Sequence, residues 1–224
     1  KLKIPFDKID QNVLVVEVMQ PYKTRKVRIL NGAHTTMVPF SLLYGNETVK
    51  ETVDDAFTGK FVRDAVFKEI NPTLDLSEEE LQEFADAVFD RFRNPFIKHL
   101  LSSIALNTVS KFKVRVLPSL LAFEKEYNRL PENLTFALAC LIRFYKGTYK
   151  GKALPIKDDA AVVAFFNEAW QTEDYAKVAQ KVLSNVGFWD QDLTVISGLE
   201  QKVAIALALI EEHGVEEAYK KYAV

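Results

Sequence analysis

Apolar residues recur three and four positions apart over most of this 224-residue chain, which is the spacing of one buried helix face. One helix is predicted to open at Ser77, because Ser77-x-x-Glu80 forms a capping box ahead of apolar residues at helical spacing: Leu81, Phe84, Ala85, Val88 and Phe92. The same spacing predicts helices over residues 133–145, 160–170, 175–183 and 199–210. Ala, Leu, Ile and Val dominate the last of these, so we expect it to lie at the centre of the core.

Two further apolar segments predict one more helix and one strand. Asn94 and Pro95 suit the N-cap and the first position of a helix, whose buried stripe would be Ile97, Leu100, Leu101, Ile104 and Ala105. The segment Val13 to Met19 is apolar at six of its seven positions and is the one clear strand candidate. The pattern as a whole predicts an all-α fold, a multi-helix bundle with one short β element near the N-terminus.

A helix predicted over about residues 25–43 carries the most informative polar residues. At 100° per residue, Lys26, Asn31 and His34 fall at about 0°, 140° and 80°, so they share one side of the helix. Two residues weaken this helix. Pro39 is expected to kink or break it, and Gly32 lowers its helix propensity by about 1 kcal/mol, which is acceptable where a ligand approaches the backbone closely.

These three polar side chains suit chemistry on a carbonyl and an alcohol without a metal. A lysine can act as a general acid or base, an amide N–H can donate to a developing oxyanion, and an imidazole can hold a hydroxyl. An ordinary lysine is protonated at neutral pH, so Lys26 needs burial or neighbouring cations to act as a base, and the same turn carries Lys23, Arg25 and Arg28. The alternative is a solvated lysine, a local bend and a packed imidazole ring.

A second cationic group is predicted to lie on a loop ahead of Pro118. It consists of Ser110, Lys111, Lys113 and Arg115. An arginine can bind a carboxylate through two parallel hydrogen bonds, whereas a lysine offers a point charge. The group would therefore suit an acidic substrate, and the alternative is a solvated basic loop.

Composition and charge exclude several classes of protein. Hydrophobic residues make up 48% of the chain and charged residues 27%, and a net charge of −2 gives no field for nucleic acid. No apolar run approaches the roughly 20 residues of a membrane span, and no signal peptide opens the chain, so we expect a cytoplasmic protein. The single cysteine, Cys140, excludes an internal disulfide and is expected to be a buried thiol. The three histidines form no i, i+4 pair, so no metal site is predicted.

The stretch from Tyr22 to Thr35 resembles the signature of the polyol-specific long-chain dehydrogenases, the mannitol dehydrogenase family. Lys26, Asn31 and His34 match that family's catalytic motif position by position. A second stretch supports the likeness, with Arg93-Asn94-Pro95-Phe96-Ile97, residues 102–105 and residues 110–118. The resemblance is good over residues 10–147 and implies a helical C-terminal domain, related to that of the 6-phosphogluconate dehydrogenases.

The resemblance also implies roles for individual residues. Lys26 would be the zinc-independent acid/base, Asn31 would polarise the substrate carbonyl, and His34 would hold a neighbouring hydroxyl. Substrate binding would fall to Ser110, Lys111 and Arg115. The family carries an arginine at the position of Lys111, and this difference favours a substrate other than mannitol.

Within the family, the sequence of the Tyr22–Thr35 motif is most similar to that of members that interconvert D-tagaturonate and D-altronate. This similarity implies NAD-dependent hydride transfer. The family carries its nucleotide-binding domain ahead of the catalytic motif, and no two glycines of this chain are spaced Gly-x-Gly. We therefore expect residues 1–20 to connect two domains and residues 21–224 to form the C-terminal catalytic and substrate domain, whose partner is its own nucleotide-binding domain. Alone, this chain is expected to be inactive. The open alternatives are a fructuronate reductase, a mannitol or mannitol-1-phosphate dehydrogenase, and a non-catalytic all-α interaction module.

Overall fold

The computed structural model describes residues 8, 9, 13 and 15–223 and confirms the all-α fold. The α-helices are α1 Gln20–Arg25, α2 Gly32–Tyr44, α3 Val49–Asp54, α4 Ala56–Asp64, α5 Glu78–Phe92, α6 Leu101–Ile104, α7 Thr108–Arg115, α8 Leu117–Tyr127, α9 Glu132–Phe144, α10 Ala160–Ala169, α11 Tyr175–Leu183, α12 Val186–Trp189, α13 Leu199–His213 and α14 Val215–Tyr222. π-Helical turns span Lys26–Asn31 and Ala65–Ile70, and 3₁₀ turns span Asn71–Thr73 and Leu193–Val195. Along the described residues, none of these helices is both long and apolar enough to cross a membrane.

The core is built around α9. Every residue from Asn133 to Phe144 is buried, including Cys140, so this helix is enclosed on all sides. It packs against α2, which carries His34, and against α13. The prediction that the helix at 199–210 is central is confirmed, since α13 also packs on α11 and α14. The buried thiol is confirmed too, and burial raises its pKa well above the ordinary value.

A buried carboxylate, Glu69, caps the N-terminus of α9. Its Oε1 accepts from the backbone N–H of Asn133 at 2.8 Å and from the side-chain amide of Asn133 at 2.7 Å, and its Oε2 accepts from the N–H of Leu134 at 2.8 Å. These backbone donors are among the N–H groups that an α-helix leaves unpaired in its first turn. Burial raises the pKa of Glu69 to about 7, although the three donors oppose the rise.

We expect Glu69→Gln to flatten the pH dependence of stability between about pH 5 and 7. The folded pKa lies above the ordinary 4.5, so the folded state binds more protons in that window and the free energy of unfolding falls as the pH rises. Removing the group should make this slope shallower by up to about 1.4 kcal/mol per pH unit. Urea unfolding at several pH values measures the slope. The exposed Glu78→Gln is the control, and an unchanged slope in Glu69→Gln would contradict the assignment.

The predicted strand at Val13–Met19 is wrong for the residues that the structure describes. Val13 and residues 15–19 are in irregular or bent backbone without a strand partner, and their side chains are exposed; Leu14 lies outside the described residues. A strand needs a paired neighbour, which local sequence cannot supply. The observed β structure is a hairpin of β1 Thr148–Tyr149 and β2 Lys152–Ala153, joined through Lys150-Gly151, both with positive φ as a tight hairpin turn requires.

The predicted helix at Asn94–Pro95 is also wrong. The Asn94 side chain accepts from the N–H of Phe96 at 2.9 Å and forms a turn, and Phe96 is 93% exposed. The following residues form a bridge in which Leu100 pairs antiparallel with Thr48. Helix formation is therefore delayed to the short α6, because this backbone bonds to a distant segment instead of to itself.

Candidate functional site

The helix that carries the predicted catalytic residues contains a π-turn. α1, the turn Lys26–Asn31 and α2 run on without a break from residue 20 to 44, and Pro39 does not end the helix. In the turn, the N–H of Gly32 bonds to the carbonyl of Val27, five residues back, instead of four. Single π-turns inside α-helices are rare and occur frequently at functional sites.

The π-turn brings Lys26 and Asn31 closer together around the helix than the sequence predicted. Residues five apart are about 140° apart in an α-helix, but in a π-turn they are the hydrogen-bonded pair and lie one turn apart. His34 follows at i+3 from Asn31, which is a neighbouring position on a helix surface. The hydroxyl of Thr35 donates to the Asn31 carbonyl at 2.8 Å, at the junction of the two helix types. The three predicted residues thus form one stripe.

Two of the three cations expected to crowd Lys26 are directed elsewhere. The Arg25 guanidinium stacks over the Phe84 ring at 4.3 Å. Arg28 donates through Nη1 to the hydroxyl of Ser119 on α8 at 3.0 Å, and burial lowers its pKa. Lys26 itself is exposed. The expected crowding of Lys26 by Arg25 and Arg28 is therefore not formed.

The second predicted group lies on helix α7 and not on a loop. Lys111 and Arg115 are four residues apart on this helix and so share a face. The ammonium of Lys111 donates to the carbonyl of Ile104 at 2.9 Å. Burial and the neighbouring Arg115 lower the pKa of Lys111, and burial lowers that of Arg115, as expected for cations packed close together.

Ser110 is separated from this face. Its hydroxyl donates to the carbonyl of Asn107 at 3.1 Å, and its side chain lines an open cleft of about 530 Å³ together with Lys157, Asp158 and Asp159. None of the other five predicted site residues lines this cleft. The structure therefore divides the predicted substrate-binding set into two places.

Gly32 is the point at which α7 crosses the helix that carries the predicted catalytic residues. A Cβ at this position would lie 3.2 Å from the carbonyl oxygen of Arg115. The sequence suggested that Gly32 lets a ligand approach the backbone, but the group that approaches is a second helix. This close packing sets the end of α7 beside Asn31 and the start of α2.

We expect Gly32→Ala to lower the thermal midpoint of unfolding, although alanine is favoured in a helix by about 1 kcal/mol. The added methyl would press on the Arg115 carbonyl, and overpacking costs about 1–3 kcal/mol. Calorimetry measures the midpoint. A raised midpoint would mean that α7 gives way at no cost and that the crossing is not tightly packed.

His34 connects the two groups. Its ring packs on Phe92 with centroids 4.4 Å apart and on His99, edge-on, at 5.2 Å. Burial, together with the nearby charges of His99, Arg115 and Lys111, lowers its pKa to about 4. His34 is therefore neutral at pH 7, and its buried Nε2 has no hydrogen-bond partner among the described residues. A buried polar atom without a partner costs about 1–3 kcal/mol, which a bound hydroxyl would recover.

His99 contacts a predicted site residue but was not singled out from the sequence. It lies in a non-helical segment beside His34. The only signal in the sequence was that it is one of three histidines. Within the described residues, no three His, Cys, Asp or Glu side chains are grouped as metal ligands, and zinc independence stays a prediction.

A family model, described as the mannitol dehydrogenase C-terminal domain, matches residues 18–211. The chain belongs to this family. The match extends well past residue 147, which was the end of the resemblance found in the sequence. Two solved structures have the same fold. Pseudomonas fluorescens mannitol 2-dehydrogenase, in a ternary complex with NAD and D-mannitol, has a TM-score of 0.85 at 20% identity, over 98% of this chain and 44% of that one. A D-sorbitol dehydrogenase in substrate-free form has a TM-score of 0.80 at 21% identity, over 96% and 43%.

Relatives of this mannitol dehydrogenase C-terminal domain carry a more specific name. The altronate oxidoreductase of Yersinia pestis bv. Antiqua (strain Nepal516) is 44% identical over 225 residues, which cover 98% of this chain and 47% of that protein. The altronate oxidoreductase of Cronobacter sakazakii (strain ATCC BAA-894) is 47% identical over 221 residues, covering 96% and 46%. The chain spans about half the length of the curated relatives it matches.

Proposed function

We propose that this chain is the catalytic and substrate domain of an NAD-dependent oxidoreductase that interconverts D-tagaturonate and D-altronate. The observation that carries the proposal is the packing of α7 across the catalytic helix, which sets Lys111 and Arg115 beside His34. A hexuronate carries a carboxylate, and two cations on one face of a helix suit such a group. The names of the relatives support the same substrate.

In the proposed reaction, Lys26, Asn31 and His34 act on the ketone and on the hydroxyl next to it. Lys26 gives a proton to the carbonyl oxygen during reduction and takes it back during oxidation. The Asn31 amide donates to the same oxygen as negative charge develops, a contribution of about 3 kcal/mol in comparable sites. His34 is neutral, and its Nε2 binds a hydroxyl next to the reacting carbon.

The substrate carboxylate is assigned to Lys111 and Arg115. Both cations are partly buried, and a charge-assisted hydrogen bond is stronger away from water. Ser110 faces a separate cleft, so we leave it outside the carboxylate site. An anion bound here would offset the repulsion between the two cations, which lowers the pKa of Lys111.

The dinucleotide is assigned to a domain outside this chain. The described strands form an antiparallel hairpin, whereas a dinucleotide fold needs parallel strands joined through a helix and a glycine-rich turn. The residues present therefore do not form a cradle for NAD. When bound, the cofactor supplies the hydride. We infer that the exposed face of Lys26 is the side that the nucleotide-binding domain covers.

Steady-state reduction of tagaturonate, fructuronate and fructose by the full-length enzyme tests the proposal. We expect tagaturonate to have the highest kcat/KM, with oxidation of NADH. A preference for fructuronate would favour the fructuronate reductase alternative, and a preference for fructose would favour a mannitol dehydrogenase. If none of the three is turned over, the proposal is overturned, and the non-catalytic interaction module is the remaining alternative.

We expect the 224-residue chain alone to transfer no hydride, because it lacks the cradle that holds the cofactor. The purified chain is incubated with NADH and tagaturonate, and absorbance at the nicotinamide band is followed. The full-length enzyme is the positive control. Turnover by the chain alone would refute the assignment of NAD to another domain.

A further inference from the structure

The His99 ring packs edge-on against His34 and is itself exposed to solvent. His34 contacts two rings, those of Phe92 and His99. Phe92 is only 6% exposed, whereas His99 is an exposed residue. A ligand that binds His34 on this side therefore also lies against the exposed His99 ring.

The backbone that carries this ring is held in place. The N–H of Val49 donates to the His99 carbonyl at 3.0 Å, and the N–H of Leu101 donates to the Glu47 carbonyl at 2.9 Å. The bridged partner segment includes Thr48, which caps α3 with a complete capping box. A ring on a fixed backbone can distinguish between ligands, because its position does not adjust to each of them.

The chemistry of two neighbouring imidazoles fits a polyhydroxy chain. A neutral imidazole offers one donor and one acceptor, and a hydroxyl group is both. A hexuronate in its open form carries hydroxyls on successive carbons between the ketone and the carboxylate. The His34 and His99 rings, with centroids 5.2 Å apart, offer neighbouring partners for two of them.

We propose that His99 is a specificity-determining residue of this site, which hydrogen-bonds a hydroxyl of the hexuronate beside the one held by His34. The inference rests on the proposed function, since it takes the sugar acid held by Lys111 and Arg115 as the ligand. His99 then recognises the hydroxyl configuration of the hexuronate, while Lys111 and Arg115 recognise its carboxylate.

Three variants of the full-length enzyme test this contact. His99→Phe keeps a ring for edge-on packing but removes both nitrogens, His99→Ala removes the ring, and His99→Gln restores a polar end. We expect Phe and Ala to lower kcat/KM for tagaturonate about 10-fold or more, mainly through KM, and Gln to recover part of it. The ratio of kcat/KM for tagaturonate to that for fructuronate, which differs in hydroxyl configuration, should shift at least about fivefold in His99→Phe. The KM for NADH should not change.

The controls separate a contact from packing and from the proposed function. His213→Ala, on α13, should behave as wild type, and the thermal midpoint of each variant checks folding. Full activity with an unchanged substrate ratio in His99→Phe would overturn the inference, even if His99→Ala is impaired, because packing alone would then explain that impairment.

Calorimetric binding of D-altronate to wild type and His99→Phe is the second readout. If wild type reduces no hexuronate, the proposed function fails, yet weaker altronate binding by His99→Phe would still support the contact. Equal binding, or no binding to wild type, would overturn it.

Discussion

Lys26→Ala in the full-length enzyme is expected to lower kcat with tagaturonate by at least about 100-fold, because general acid/base catalysis contributes about 100- to 10,000-fold. Lys26 is exposed, so the thermal midpoint should stay the same. The KM for NADH should change little, since the loss falls on the chemical step. Steady-state kinetics over a range of pH measures the effect, and the limb of the profile that depends on the lysine should disappear.

A matched control is Lys177→Ala, because Lys177 is also an exposed lysine near the start of a helix and pairs with Asp174 at the surface. It should keep wild-type turnover. If Lys26→Ala retains turnover and its pH profile, proton transfer belongs to another group. His34 is the next candidate on the same helix, but its pKa of about 4 keeps it neutral over most of the pH range and makes it a poor proton donor.

Arg115→Ala and Lys111→Ala are expected to raise the KM for tagaturonate and to narrow its advantage over fructose. Loss of a charge-assisted, partly desolvated contact costs about 2–4 kcal/mol, which is roughly 30- to 1,000-fold in kcat/KM for the acid. A neutral ketose lacks the carboxylate and should lose far less. The ratio of kcat/KM for the two substrates is the quantity to measure, since general damage to the site would lower both.

Lys113→Ala provides the control on the same helix. Its ammonium pairs with Asp190 at 3.0 Å, so it is engaged away from the proposed site. It should leave the substrate ratio unchanged. If Arg115→Ala and Lys111→Ala both keep the wild-type preference, the carboxylate is held elsewhere. Arg25 and Arg28 already have partners, which would make Lys23 the next cation of that turn to test.

The periodicity of apolar residues predicted the longer helices well because it is a local property. The helices observed as α10, α11 and α13 coincide with the predicted ranges to within a few residues. α5 starts behind Ser77 as predicted, with Glu80 donating its N–H to the serine hydroxyl. The motif was predicted to lie on a helix, and it does. Each of these features depends on residues only a few positions apart.

The predictions that were wrong concerned segments whose partners are distant. Residues 13–19 have the composition of a strand, but no described segment pairs with them. Residues 94–100 begin with residues typical of a helix start, but their backbone forms a bridge and hydrogen bonds with residues 47–49 instead. The group from Ser110 to Arg115 was predicted to lie on a loop, but it lies on helix α7, whose buried side includes Val109 and Phe112.

The sequence by itself determined that this protein is helical, that it belongs beside the mannitol dehydrogenases, and that Lys26, Asn31 and His34 share a helix. Only the tertiary structure decided that the turn between the first two is π-helical, and that α7 crosses at Gly32 to set its cations beside His34. It also decided that Ser110 lies apart from them and that His99 lies against His34. The physical reason is that side-chain spacing along one helix follows from its repeat, whereas contacts between helices depend on which surfaces pack when the whole core is buried.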